Sequence, residues 1–255
     1  MALGIALFSY NRPEYLDRVL SSLVANKGFD AKDLYIFQDY ANDGSHIPCH
    51  GIIAKYCLSE RTKERKWNYG IARNQYTGYN LMFNRYEDVL FLEDDMILAS
   101  NYLTTIKALL KQFMKDDKCW FVKGGARDLE GDPSEVVKGH MPYQWGHAFN
   151  RKRWEQIRKY YDPIYQEYFE ECEYAKRDVT RLKQHIAPYA PGQDGAKRWS
   201  AKQAGFEYSI ETILPRGKYI GAHGEHFTPE AYKNKGYSED ILIEHPALTK
   251  YKFST

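Results

Sequence analysis

A doubly wound α/β fold with a mostly parallel central sheet is what the first half of this chain predicts, and three observations carry it. Short runs of strand formers alternate with helical apolar periodicity from residue 3 to residue 122, the order expected of a parallel sheet with helices on its faces. The run Val89-Leu90-Phe91-Leu92 has no polar break, as a strand buried on both faces requires. That run ends in Glu93-Asp94-Asp95, and the ligand crevice of an open α/β sheet lies just outside the carboxyl ends of its strands.

Taken in order, residues 2–9 read as a buried first strand. Pro13 suits the first turn of a helix, with Asn11 as its candidate cap. Leu16, Val19, Leu20, Leu23 and Val24 give that helix one apolar face. Residues 33–38 form the second strand, ending at Asp39, and Asn42-Asp43-Gly44-Ser45 is a turn. A helix over 47–58, a short strand before Trp67 and a helix over 71–86 lead to the strand at 88–92. Tyr102, Leu103, Ile106, Leu109, Leu110, Phe113 and Met114 then repeat at three and four, an amphipathic helix. Cys119 to Val122 is another strand.

The second half, residues 126–255, predicts an irregular α+β region within the same single domain. It reads as a strand over 143–149, helices over 151–160, 163–185 and 195–204, strands near 207–213 and 218–221, and an irregular end from His223. The chain of 255 residues is 43% hydrophobic and 27% charged, which supplies a sizeable core and excludes disorder. A net charge of +2 gives no reason to expect nucleic acid as a partner. The cysteines at 49, 57, 119 and 172 lack zinc-ribbon or redox spacing, and no apolar run approaches the ~20 residues of a membrane span. The expectation is a soluble, cytoplasmic protein with free thiols, or a domain of a longer one.

Glu93, Asp94 and Asp95 packed together repel one another, at roughly 1 kcal/mol per close pair in water and more where water is scarce. A hard divalent cation, Mn2+ or Mg2+, would remove that repulsion and bring phosphate oxygens with it. The competing reading is a solvated acidic turn before a helix whose N-terminus favours negative charge.

These pieces resemble the GT-A fold of nucleotide-sugar glycosyltransferases. The pattern is similar to that of the N-acetylglucosaminyltransferase I type and of family-two inverting enzymes. It is carried by Asn11-Arg12, Gln38-Asp39, Ile71-Ala72-Arg73 and Glu93-Asp94-Asp95 over residues 3–125. The resemblance implies a nucleotide-diphosphate donor, a UDP-sugar above all, a glycan acceptor and a 126–255 half that binds that acceptor and carries the base. Asp39 would accept from the uracil imide, and Arg12 and Arg73 would contact the nucleotide or its phosphates. Glu93 and Asp94 would border the donor, Asp94 touching the ribose or metal waters, and Asp95 would ligate the metal. Where the family commonly has a histidine after Ile-Ala-Arg, this chain has Asn74, whose amide could still bond to a base edge.

Inverting transfer needs a carboxylate to take the acceptor proton. By position Asp194, in Pro-Gly-Gln-Asp-Gly, matches the base that the resemblance implies; its competing role is a helix N-cap. Glu170 and Glu171 are reserves. His223-Gly224-Glu225-His226 resembles a loop that closes over the donor, in which one histidine, His223 or His226, would bind the metal or the diphosphate; the competing reading is two surface histidines. Trp145 and His147 are candidates to line the acceptor pocket. Two other classes stay open: a sugar-nucleotide nucleotidyltransferase, and a non-catalytic carbohydrate-binding domain.

Overall fold

The computed structural model describes residues 2–125, 131–140, 144–170, 178–224, 228–237, 242, 244 and 248–254. Strand β1 (Leu3–Ser9) is buried at every position and lies at the centre. Parallel to it run β2 (Leu34–Gln38) on one side and β4 (Asp88–Glu93) on the other, with β3 (Thr62–Glu64) beyond β2. Helices α1 (Pro13–Val24), α2 (Ile47–Lys55) and α3 (Gly70–Phe83) make the crossovers. The chain steps outward from β1 to β2 to β3, then returns across β1 to place β4. The order therefore reverses between β1 and β4, where an α/β sheet opens its crevice.

Helix α4 (Tyr102–Phe113) leads to β6 (Cys119–Lys123). The second half extends the same sheet. β8 (His147–Asn150) inserts antiparallel between β4 and β6, and β9 (Tyr208–Thr212) runs parallel to β6. Outside it lie β7 (Glu135–Gly139) and β11 (Lys252–Phe253), completing the order β11-β7-β9-β6-β8-β4-β1-β2-β3. The fold is thus α/β with a large, mostly parallel sheet. A second ribbon pairs β5 (Met96–Leu98) with β10 (Gly217–Tyr219), and its strand β5 directly follows the acids.

Several local expectations change. Asn11 does not cap α1; Arg12 holds the N-cap position, with no capping side-chain bond, because a guanidinium carries donors only and cannot accept from the helix N–H groups. One helix, α5 (Arg151–Tyr168), runs through Pro163, where a break was expected. A proline inside a helix costs ~3 kcal/mol. Ile157, Tyr161, Ile164, Tyr165 and Tyr168 bury one continuous face on both sides of it, and that burial outweighs the lost bond. Helix α6 (Val179–His185) is the other part of the expected 163–185 helix; residues 171–177, with Glu171 and Cys172, lie outside the described residues. Helix α7 (Gln193–Gln203) has Gly192 at its N-cap, so Asp194 stands inside the first turn and is not the cap. Helix α8 (Pro229–Asn234) and β11 give order to the end of the chain.

Helix α3 lies against β1 at Gly78. A Cβ there would stand 2.5 Å from a ring atom of Phe8, so only glycine permits this approach. Cys49, Cys57 and Cys119 are free thiols. Among the described residues no helix is long and apolar enough to cross a membrane.

Candidate active site

The carboxyl ends of β1 and β4 bring Arg12 against the acids. Its guanidinium Nη2 pairs with Asp94 Oδ1 and lies 2.9 Å from Asp95 Oδ2. Asp94 Oδ2 also accepts from the Tyr10 backbone N–H at 3.1 Å, tying the two strand ends together. Both aspartates are buried. Asp95 Oδ1 is buried with no hydrogen-bond partner. Burial pushes the Asp95 carboxyl up to about 6, with Asp94 adding to the rise and Arg12 opposing it. Glu93 is raised further, to about 8, by burial and then by Asp95 and Asp194. Carboxyls raised by burial and by one another in this way cluster at functional sites.

Asp39 is buried at the end of β2, where its Oδ1 accepts from the backbone N–H groups of Tyr40 and Tyr69, both at 2.9 Å. Burial raises its carboxyl and those donors oppose the rise. Beside it runs a column of cations and rings. Arg73 lies 4.3 Å from the Trp67 ring centre and 4.9 Å from that of Tyr69, and Arg65 lies 4.7 Å from Tyr69 on its own account. Asn74 is buried, and its amide is engaged at both ends. It donates to Phe37 O at 3.0 Å and accepts from Arg65 Nε at 2.9 Å. It therefore orients Arg65, a residue the sequence reading passed over.

Asp194 is joined to the acids through a buried chain of polar groups. Lys197, one turn along α7, places Nζ 3.1 Å from Asp194 Oδ1 and donates to Gln75 Oε1 at 2.8 Å. Gln75 Nε2 donates to Glu93 Oε1 at 3.0 Å. A branch runs from Lys197 to the Tyr79 hydroxyl at 3.4 Å and on to His147 Nε2 at 3.3 Å. His147 Nδ1 bonds the Gln144 carbonyl. A carbonyl only accepts, so Nδ1 carries the proton and Nε2 accepts. At 2% exposure His147 is a member of this chain and does not line an acceptor surface; burial, then Lys197, holds its basicity well below the usual range. Gln144 closes the circuit by donating to Asp194 O at 3.1 Å.

His223 is exposed and meets the site through its backbone: its N–H donates to the Tyr15 hydroxyl at 3.0 Å, and its carbonyl accepts from Arg12 Nη1 at 3.4 Å. His226 lies outside the described residues. Glu170 has its backbone N–H on Tyr165 O at the end of α5. Trp145 stacks on Tyr219, ring centres 4.3 Å apart and 6° from parallel. Ile220 N–H donates to Asp95 O at 2.7 Å, so the aromatic pair borders the acids. Among the described residues no three His, Cys, Asp or Glu side chains are grouped to hold a metal ion by themselves.

No family model and no curated protein matches the chain. Among solved structures it is similar to S. aureus TarS 1-349 in complex with UDP, at 15% identity and a TM-score of 0.46, over 84% of this chain and 58% of that one. It is similar to the same protein in complex with UDP-GlcNAc, at 15% identity and a TM-score of 0.42, over 96% and 68%. It is also similar to the mannosyltransferase PcManGT from Pyrobaculum calidifontis in complex with GDP-Man and Mn2+, at 12% identity and a TM-score of 0.39, over 62% and 45%. The chain thus spans 58% of the length of the first of these.

Proposed function

We propose that this chain is an inverting, metal-dependent glycosyltransferase of the GT-A type, moving a sugar from a nucleotide-diphosphate donor, a UDP-sugar, to a glycan hydroxyl. The observation that carries this reading is one constellation. Asp94 and Asp95 meet Arg12 where the strand order reverses, and Gln75 and Lys197 join the adjacent Glu93 to Asp194.

A cation fits this chemistry. Asp95 has an unpartnered buried oxygen and a carboxyl raised by burial. Asp95, with Asp94 beside it, would hold Mn2+ or Mg2+, and phosphate oxygens and water suit the remaining positions of such an ion. When bound, it supplies positive charge toward the leaving diphosphate. Arg12, whose planar guanidinium suits phosphate, binds the same diphosphate. Asp39 accepts from the base edge. Arg73, kept in place by its two rings, meets the nucleotide, with Asn74 acting through Arg65. Glu93 borders the donor and His223 faces it from the loop; His226 belongs to the same loop in this reading. Asp194 takes the acceptor proton as that oxygen attacks the anomeric carbon and the bond from that carbon to the phosphate oxygen breaks. General-base help of this kind is worth ~10²–10⁴-fold.

The test is incubation with a panel of nucleotide sugars and Mn2+, read by nucleotide release and by the anomeric configuration of the product. Release from one donor, with inversion and loss on chelation, is the expected result. Consumption of pyrophosphate would replace this reading with a nucleotidyltransferase. Binding of glycans with no turnover would replace it with a carbohydrate-binding domain.

A further inference from the structure

Lys197 is 2% exposed, yet its ammonium reaches three polar groups on two helices: Asp194 Oδ1 at 3.1 Å, Gln75 Oε1 at 2.8 Å and the Tyr79 hydroxyl at 3.4 Å. An ammonium is strongly hydrated, and burying one without full compensation is expensive. A buried ion pair replaced as a unit by packed apolar side chains is often neutral or stabilising, although removing one partner alone is costly. Stability alone therefore gives a weak account of this lysine.

The Asp194 carboxylate supplies a better one. Its side chain is 44% exposed, but the exposure is uneven. Oδ1 is buried 3.1 Å from the Lys197 ammonium, an ion pair without hydrogen-bond geometry, so the exposure lies on the rest of the side chain. A carboxylate on a first-turn residue has free rotation about its terminal bond. The lysine removes that freedom by holding one oxygen. The Gln144 amide fixes the backbone of the same residue through its carbonyl. Lys197 is itself anchored by Gln75, whose other end grips Glu93. The distance from the base to the acids is thus set through one ammonium and one amide.

We propose that Lys197 is the positioning residue of the transfer reaction: it pins Asp194 Oδ1 so that Oδ2 faces the acceptor hydroxyl, and registers that oxygen against the donor corner through Gln75. This rests on the reading of Asp194 as the base. Misplacement of a reacting group by about 1 Å can lower a rate ~100-fold, which sets the size of the effect.

The experiment is a two-by-two cycle of Asp194→Asn and Lys197→Met in the full chain, with Lys197→Arg alongside. The donor is the nucleotide sugar that the panel identifies, and UDP titration in Mn2+ reports folding and donor binding. Lys197→Met should lower kcat ~30–100-fold, with the UDP Kd within about twofold, while Lys197→Arg recovers part of the loss. In the Asp194→Asn background, Lys197→Met should lower kcat no further, since the base it positions is gone. Multiplicative losses in the double variant, or near-normal kcat in Lys197→Met, would overturn the positioning role and leave the transferase reading intact. A wild-type protein that turns over no nucleotide sugar would overturn both.

Discussion

Two of the places on this sheet where carboxylates are buried are balanced differently. At β9, Glu211 lies 3.1 Å from Lys123 of the adjacent β6 and accepts from the Ser209 hydroxyl at 3.0 Å. At the end of β4, Asp94 and Asp95 share one guanidinium, and Glu93 reaches one ammonium only through Gln75. The first arrangement matches charge with charge inside the fold. The second leaves one Asp95 oxygen unpartnered and two carboxyls pushed up, chiefly by burial, to about 6 and about 8. A buried acid is thus matched by a lysine at one place, while at the other one Asp95 oxygen is left without a partner.

The sharpest test of that contrast is Asp194→Asn. Turnover should fall ~10²–10⁴-fold while UDP titration shows donor binding retained; turnover near the wild-type rate would remove Asp194 from the site. Next in size is Glu211→Ala, which breaks the matched pair and should lower stability by about 3–5 kcal/mol in a urea melt, with no specific effect on donor binding. Asp95→Asn should do the reverse. Its carboxyl binds a proton more tightly folded than unfolded, so its stabilising share is lost as pH rises through about 6. At pH 7 without metal the amide should therefore raise the thermal midpoint, while Mn2+-dependent UDP binding disappears; a lower midpoint would erase the contrast. The smallest effect concerns His147. Its basicity is depressed in the fold, so its contribution is present above ~6.5 and fades as pH falls, when the unfolded chain takes the proton. Melts of wild type and His147→Gln between pH 5 and 7.5 should converge at the acid end.

The acid corner was legible because local signals coincide there: an unbroken apolar strand, an abrupt run of acids, and Pro13 after Arg12. The chain of contacts to Asp194 was not. Lys197 meets Gln75 across 122 positions of sequence; Gln75 falls on the apolar side of its helix with Ile71, Tyr79 and Met82, but nothing local names Lys197 as its partner. Strand β5 is three residues long and β7 mixes exposed and buried positions, so neither gives the period that identifies a strand. The run of α5 through Pro163 depends on partners elsewhere in the fold, which local propensity does not encode.

Gly78 has a consequence beyond packing. Gln75 and Asn74 lie one turn earlier on the same helix, and each spans from α3 to a partner on another element: Glu93 and Lys197 for one, Phe37 and Arg65 for the other. The thickness of a single missing methyl group sets how near that helix rides to the strands beneath it, and so calibrates two amide tethers at once. An alanine there would loosen the ties to Glu93 and Lys197 and to Phe37 and Arg65 together, from a position that bonds to none of them.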